Sequence, residues 1–153
     1  MKRLFLAAAV TVGLAALALP ASASTPQAAS GSGTASPPTV TSARTTPSGN
    51  TFLEFTAAGT VTGTFTGTFT QTGRMIVHPD GSSETNADVV FTGTVAGCGA
   101  GTVPIRFVAH TTAGVGTGHG ESMDQADNTV GVHTNVDIVL TGSTFTYTGT
   151  YHC

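Results

Sequence analysis

The sequence between residues 60 and 70 alternates without a break, and this period constrains the fold more than any other feature. Threonine occupies every even position, and the odd positions carry Val61, Gly63, Phe65, Gly67 and Phe69. Period two is the spacing at which side chains share one face of a β-strand, and no helical stripe has it. Threonine and aromatic residues also favour strands, because their side chains fit a pleated surface. The alternation predicts a β structure with one apolar face and one hydroxyl-bearing face.

The same alternation recurs along the chain and predicts eight strands. Their ranges are 51–58, 59–71, 73–78, 86–96, 102–111, 113–122, 129–141 and 143–152. The connections are short and no helical pattern intervenes, which excludes parallel βαβ crossovers and favours an antiparallel up-and-down meander. The predicted fold class is all-β, and we expect the strands to close into a barrel, since closure removes exposed sheet edges. A β-sandwich would show the same alternation and is the alternative.

The first 50 residues predict two segments outside this domain. Residues 1–23 contain the basic stretch Met1-Lys2-Arg3, an apolar run, and the small residues Ala21-Ser22-Ala23 of a cleavage site. That layout predicts a signal peptide, and hence a secreted, extracellular protein with no membrane association after cleavage. Residues 24–50 are rich in Ser, Thr, Ala, Pro and Gly without apolar periodicity, which predicts a disordered linker. The β-barrel domain is then expected at 51–153.

The charge content excludes one class of partner. Only 8% of the residues are charged, and lysine plus arginine total 5, whereas charged residues make up roughly 25% of an ordinary soluble domain. A nucleic-acid-binding protein needs clustered lysine and arginine against the phosphates, so no nucleic-acid partner is expected. The sequence contains no phosphate loop, nucleophile elbow or His-Glu-x-x-His motif, and neither a cofactor nor a metal is predicted.

The two cysteines, Cys98 and Cys153, predict one disulfide. Exported proteins form disulfides where the geometry allows. Cys98 follows the fourth predicted strand and Cys153 ends the eighth. In an up-and-down meander the ends of even-numbered strands lie at the same end of the barrel, which makes the pairing sterically plausible. A reactive thiol at Cys98 is the alternative.

Polar residues of the fifth to seventh predicted strands are the candidates for chemistry. They are Arg106, His110, His119, Glu121, His133, Asn135 and Asp137. Such a group can bind zinc or supply an acid and a base. On the fifth and seventh strands the opposite face is apolar, so we expect the polar side chains there to face solvent. On the sixth strand glycine alternates with the polar residues. If these glycines face outward, His119 and Glu121 enter the lumen as an acid–base pair.

The threonine rows suggest a second kind of surface. A regular Thr-x-Thr array can order water and bind ice or crystalline polysaccharide, provided that adjacent strands carry matching rows. The rows fall on the second and eighth predicted strands, which we do not expect to be neighbours. We therefore interpret threonine as an uncharged, strand-favouring surface residue.

A family resemblance rests on the signal peptide, the Gly-Thr-Phe-Thr repeats at 63–70 and the eight strands. With these features the chain resembles small secreted actinobacterial proteins of unknown function, and the wider group of allene-oxide-cyclase and dirigent-like β-barrels. The resemblance covers about residues 52–153. It implies a barrel whose apolar lumen can hold a hydrophobic ligand, in a group that includes some isomerases and cyclases. No catalytic motif of that group matches here, so none is carried over.

These observations favour a non-enzymatic protein that binds a small apolar ligand in the barrel lumen, or an extracellular partner at the barrel mouth. The residues expected to line the lumen are Val61, Phe65, Phe69, Phe107, Ile138 and Phe145. The alternative is that these side chains close-pack as an ordinary core. Two further functions stay open. One is a cyclase- or isomerase-like enzyme that uses His119 and Glu121, and the other is a purely structural surface or cell-envelope protein.

Overall fold

The computed structural model of the protein describes residues 25–153. These residues form nine β-strands, and every pairing between them is antiparallel. The strands are β1 (Gln27–Ala35), β2 (Thr39–Thr45), β3 (Thr51–Gly63), β4 (Phe65–Val77), β5 (Ser83–Val95), β6 (Gly99–Thr112), β7 (Val115–Ser122), β8 (His133–Thr141) and β9 (Thr144–His152). Within this range, no helix has the length and apolar character needed to cross a bilayer.

The strands close into a barrel. Each strand from β3 to β8 pairs with the next one along the chain, and β1 completes the ring by pairing with β9 and with β3. Eight strands, β1 and β3 to β9, therefore form the wall, while β2 is an extra strand that pairs with β3. The prediction of an all-β, antiparallel, closed barrel is confirmed, and the sandwich alternative is excluded.

The prediction of a disordered linker over residues 24–50 is wrong for most of that segment, because β1 and β2 lie inside it. The inward face of β1 carries only small residues between its ends, namely Ala29, Gly31 and Gly33. The segment therefore shows no apolar periodicity, and main-chain hydrogen bonds along both edges hold the strand in place. Pro37 and Pro38 separate β1 from β2, since proline has no N–H for a ladder bond. The predicted signal peptide lies outside the described residues.

The predicted strands 51–58, 59–71 and 73–78 are in fact two strands, β3 and β4, joined by a tight turn at Gly63 and Thr64. Gly63 has φ of 108°, a backbone conformation that favours glycine. The register places Val61 opposite Gly67, so odd positions face odd positions and the sequence alternation continues through the turn. The other five predicted strands correspond to β5 to β9. The largest shift of a boundary is at β8, which begins at His133.

The register of the strands determines the width of the barrel. Starting at Thr111 of β6 and following paired residues once around the wall, the register returns to β6 at Gly101, ten residues away; the residues passed are Gly116, Leu140, Phe145, Gly33, Val61, Gly67 and Gly93. The (β/α)8 barrel has a shear of about eight and an interior filled by side chains. A larger shear at the same strand number gives a wider barrel. The interior therefore has room for more than its own side chains.

One end of the barrel is closed by packed side chains. At this end β4 begins and β9 ends, and Val95, Val103 and Val132 are each 0% exposed. Val132 belongs to the segment 123–132 between β7 and β8, which also packs Val130 against the same apolar cluster. We call this the closed end.

The disulfide is at the closed end. Cys98 and Cys153 are bonded, with their Cα atoms 5.5 Å apart and a sequence separation of 55 residues. The predicted pairing is therefore confirmed, together with the argument that the ends of alternate strands meet. The bond ties the turn after β5 to the residue that follows β9.

Candidate ligand-binding site

An apolar cavity of about 140 Å³ lies inside the barrel. All six residues predicted to face the lumen line it: Val61, Phe65, Phe69, Phe107, Ile138 and Phe145. The alternative of an entirely close-packed core is therefore true of only part of the interior. An apolar cavity of about 150 Å³ in another protein stays dry and binds benzene. The space here is sufficient for a small ring.

Sequence reasoning missed nine further lining residues. They are Ala35, Gln71, Val89, Phe91, Ile105, Thr134, Val136, Leu140 and Tyr147. Most of them occupy inward positions of strands whose alternation was recognised, so the period alone could have identified them. Ala35 was missed for a different reason, because it belongs to the segment interpreted as a linker.

The aromatic walls of the cavity depend on glycines in neighbouring strands. A Cβ atom at Gly33 would collide with the ring of Phe145, and one at Gly59 would collide with the ring of Phe69. The two rings themselves meet edge to face, with centroids 5.8 Å apart. Glycine thus lets the rings lie flat against the backbone, which leaves the centre of the lumen empty.

The cavity is sealed on one side and less covered on the other. Towards the closed end it is bounded by Phe65, Phe91 and Tyr147, which are all buried. Towards the opposite end, Ala35 and Phe145 line it and are only half-buried. That side lies next to Pro37 and Pro38. Here β1 ends, and β2 takes its place as the strand that pairs with β3. We call this side the open end.

The polar atoms of two lining residues are occupied within the protein. The Tyr147 hydroxyl accepts a hydrogen bond from the Phe65 N–H at 2.9 Å and donates one to the Thr62 carbonyl at 3.3 Å. The Thr134 hydroxyl donates to the Thr150 carbonyl at 3.1 Å. Because these groups already have partners, they contribute little polarity to the lumen.

Burial raises the pKa of the Tyr147 phenol above its ordinary value of 10.0, an effect that the hydrogen bonds from its neighbours partly offset. We predict that Tyr147 ionises later than a free tyrosine in an absorbance titration. Above pH 10 the unfolded phenol loses its proton while the folded one retains it, so stability should fall as the pH rises through the folded pKa.

The Tyr147→Phe variant is the control for this titration. It should lack the late absorbance step of Tyr147 and lose the part of the alkaline destabilisation that comes from this phenol. If the folded wild type shows no absorbance step above pH 10 that the variant lacks, the burial of the phenol in solution is not as described.

The structure places His119 and Glu121 on the outside of the barrel, which corrects the hypothesis of an acid–base pair in the lumen. Gly120, between them, pairs with the buried Phe107 and is itself buried, whereas His119 pairs with the exposed Val108. The glycines of β7 therefore face inward. The physical reason is steric, because the rings and branched side chains of β6 and β8 fill the space that a side chain on β7 would need.

The other polar candidates also lie on the outer wall, on three adjacent strands. Arg106 of β6 is opposite Glu121 of β7, which in turn is opposite Asn135 of β8. The expectation that these faces adjoin and point to solvent is met for Arg106, His110, His133, Asn135 and Asp137, all of which are exposed.

Two histidines of this outer wall make ion-pair contacts with carboxylates. His119 Nδ1 lies 3.1 Å from Asp137 Oδ1, and His133 Nδ1 lies 3.2 Å from Asp124 Oδ1. Exposed pairs of this kind contribute about 0–1 kcal/mol. Within residues 25–153, His, Cys, Asp and Glu side chains form no group of three or more that could hold a metal ion.

Comparison with known proteins adds nothing to this geometry. No protein-family model and no curated protein matches this chain. The function must therefore be argued from the cavity and the wall themselves.

The threonine rows are closer together than the sequence suggested, because β1 lies between β9 and β3. One row crosses seven consecutive strands in register, and all its members are threonine: Thr141, Thr144, Thr34, Thr60, Thr68, Thr92 and Thr102. Thr34 and Thr60 share a hydrogen bond of 3.1 Å between their hydroxyls. The row follows the curved wall of a closed barrel, however, so it does not offer the flat array that a crystalline surface requires.

Proposed function

We propose that the protein is a secreted, non-enzymatic barrel that binds a small apolar molecule in its lumen. The observation that carries this proposal is the cavity of about 140 Å³, whose lining is almost wholly aliphatic and aromatic. Ligand sites are typically concave and mostly apolar, with few polar groups that fix orientation. The resemblance to barrels with a ligand-holding lumen is consistent with the same function.

The width of the barrel supports this proposal. Eight-stranded barrels either fill their interior with side chains or hold one small ligand. Here the shear of ten residues widens the wall, and inward glycines keep the rings close to it. Both features create space in the lumen, where a solid core would have been the simpler way to gain stability.

The placement of the ionisable groups favours binding over catalysis. His119 and Glu121 lie outside, and the cavity lining contains neither an acidic nor a basic side chain. General acid–base catalysis needs such a group within hydrogen-bond reach of the reacting atoms. A ligand in this lumen would therefore be held and released without chemical change.

Filling the cavity should weaken binding. Ile138 lines the cavity and contacts both apolar clusters, so in the Ile138→Phe variant the added ring would occupy the space of a ligand. We expect the wild type to bind methylcyclohexane, detected by NMR titration. The dissociation constant of the variant should rise by about tenfold or more, equivalent to about 1.4 kcal/mol.

The matched control is Val139→Phe, because Val139 is the next residue of β8, faces outward and is 46% exposed. This variant should bind as the wild type does. Overpacking costs about 1–3 kcal/mol, so thermal melting must show that Ile138→Phe is folded. Unchanged binding by the folded variant would place the site outside the lumen. Failure of the wild type to bind would support a purely structural role.

A further inference from the structure

We propose that Gln71 recognises a single polar group on an otherwise apolar, uncharged ligand, such as a small cyclic ketone or alcohol. This inference rests on the proposed function, because it assigns the part of the same cavity that would select among ligands. It differs from that function in predicting which of two equally small molecules the barrel prefers.

Gln71 is a polar residue in an apolar part of the wall. It lies on β4 and lines the cavity, two residues beyond Phe69 on the same face. Its cross-strand partners are Ala57 on β3 and Val89 on β5, neither of which has a polar side chain. The amide is therefore surrounded by hydrocarbon on both sides.

The amide of Gln71 makes no hydrogen bond within the described part of the chain, although it has two N–H donors and a carbonyl acceptor. Tyr147 and Thr134, in the same cavity, both use their hydroxyls within the protein. Gln71 is half-buried and its amide atoms stay accessible, because no fully buried side-chain N or O atom of the described residues lacks a hydrogen-bond partner. A leucine or methionine would suit a merely packed wall better, so the amide is the group with capacity for a ligand.

The cavity favours a neutral ligand over an ion. None of its lining side chains is charged, and a buried ion without a partner is strongly destabilised. The nearest charged residue of β4 is Arg74, which faces outward and pairs with Glu54 at 3.4 Å. A ketone, alcohol or ether group can accept from or donate to the Gln71 amide without bringing a charge into the lumen.

The position of Gln71 also suits a ligand that enters from the open end. Its partner Ala57 lies between Thr56, which is opposite Thr39 of β2, and Ala58, whose backbone bonds to Ser36. Gln71 is thus level with the break between β1 and β2. A ligand would place its apolar ring against Phe69 and Phe145 and its polar group towards this break.

The test compares two probes of similar size, cyclohexanone and methylcyclohexane, by NMR titration of the wild type and of Gln71→Met. Methionine keeps the length of the side chain and removes the amide. We expect the wild type to prefer cyclohexanone, and its affinity to fall by about three- to tenfold in the variant. Affinity for methylcyclohexane should stay constant or rise.

Two further variants make the test decisive. Gln71→Leu should repeat the result of Gln71→Met, and neither should melt below the wild type, because each puts an apolar side chain in place of a half-buried amide that makes no hydrogen bond. Thr70→Val changes the neighbouring, outward-facing position and should alter neither affinity.

The outcomes separate this inference from the proposed function. If the wild type binds both probes and the loss of the amide affects them equally or not at all, Gln71 is not the recognition group, although the lumen still binds ligands. If the wild type binds neither probe, the proposed function itself fails and this inference fails with it.

Discussion

Replacing Phe65 by alanine should lower the free energy of unfolding by about 3–5 kcal/mol, the usual cost of removing a buried aromatic ring. Phe65 is 5% exposed and is the first residue of β4. Its ring meets those of Phe91, Tyr147 and Tyr151 edge to face, with centroid distances of 5.5, 5.9 and 6.5 Å. Such pairs contribute beyond the area they bury, so the loss should lie towards the upper part of this range.

The measurement is denaturant unfolding, in which the midpoint falls while the slope stays constant. Thr68→Ala is the control, since Thr68 lies on the same strand, faces outward, is exposed and makes no side-chain hydrogen bond within residues 25–153. It should change the stability by no more than about 0.5 kcal/mol. A loss below about 1 kcal/mol for Phe65→Ala would contradict the packing described for the closed end.

Removing the disulfide should be the next most damaging change. The bond between Cys98 and Cys153 closes a loop with a sequence separation of 55 residues. The chain-entropy treatment gives about 4 kcal/mol for a loop of this length, and measured effects are typically about 2–4 kcal/mol. We expect the double variant Cys98→Ser/Cys153→Ser to melt on the order of 10 °C below the oxidised protein.

Chemical reduction is the control for this variant. The reduced wild type should match the double serine variant, because both lack the same covalent constraint. A thiol assay on the denatured, unreduced wild type should detect no reactive thiol. Detection of two thiols there, or equal melting of the oxidised and reduced proteins, would contradict a structural role for this bond.

The parts of the fold that follow from the sequence are those in which large inward side chains alternate with threonine. Val61, Phe65 and Phe69 were assigned to the lumen from period two, and all three line it. The chain has only two cysteines, and the parity of strand ends in a meander made their pairing sterically plausible; the structure confirms the bond. In both cases the prediction used a period or a topological rule and no knowledge of any tertiary contact.

The parts that were missed depend on contacts between distant segments. Gly31 and Gly33 of β1 carry no side chain from which an alternation could be recognised. Glycine is needed at both positions, because a Cβ atom there would collide with the ring of Tyr147 or Phe145. The same ambiguity affected β7, because a glycine row gives no sign of whether it faces inward. Which face is which depends on the bulk of the neighbouring strands, and a single sequence does not encode that locally.

Gln71 represents a third situation, since its signal was present and was not used. It occupies an inward position in the same odd-numbered series as Phe65 and Phe69. A polar residue at such a position conflicts with the surrounding pattern. Conflicts of this kind between local pattern and global fold are expected at functional sites.

The closure of the ring through β1 has a consequence for the order in which the chain can fold. Residues 27–34 of β1 pair with residues 144–151 of β9, so the first strand of the described chain cannot complete its pairing until the last one is available. Contacts so distant in sequence slow folding, because loop-closure entropy is lost before they form. During synthesis, β1 would remain an open edge. Unpaired strands are prone to aggregation, and the low β-propensity of the glycine and alanine residues of β1 would then limit it.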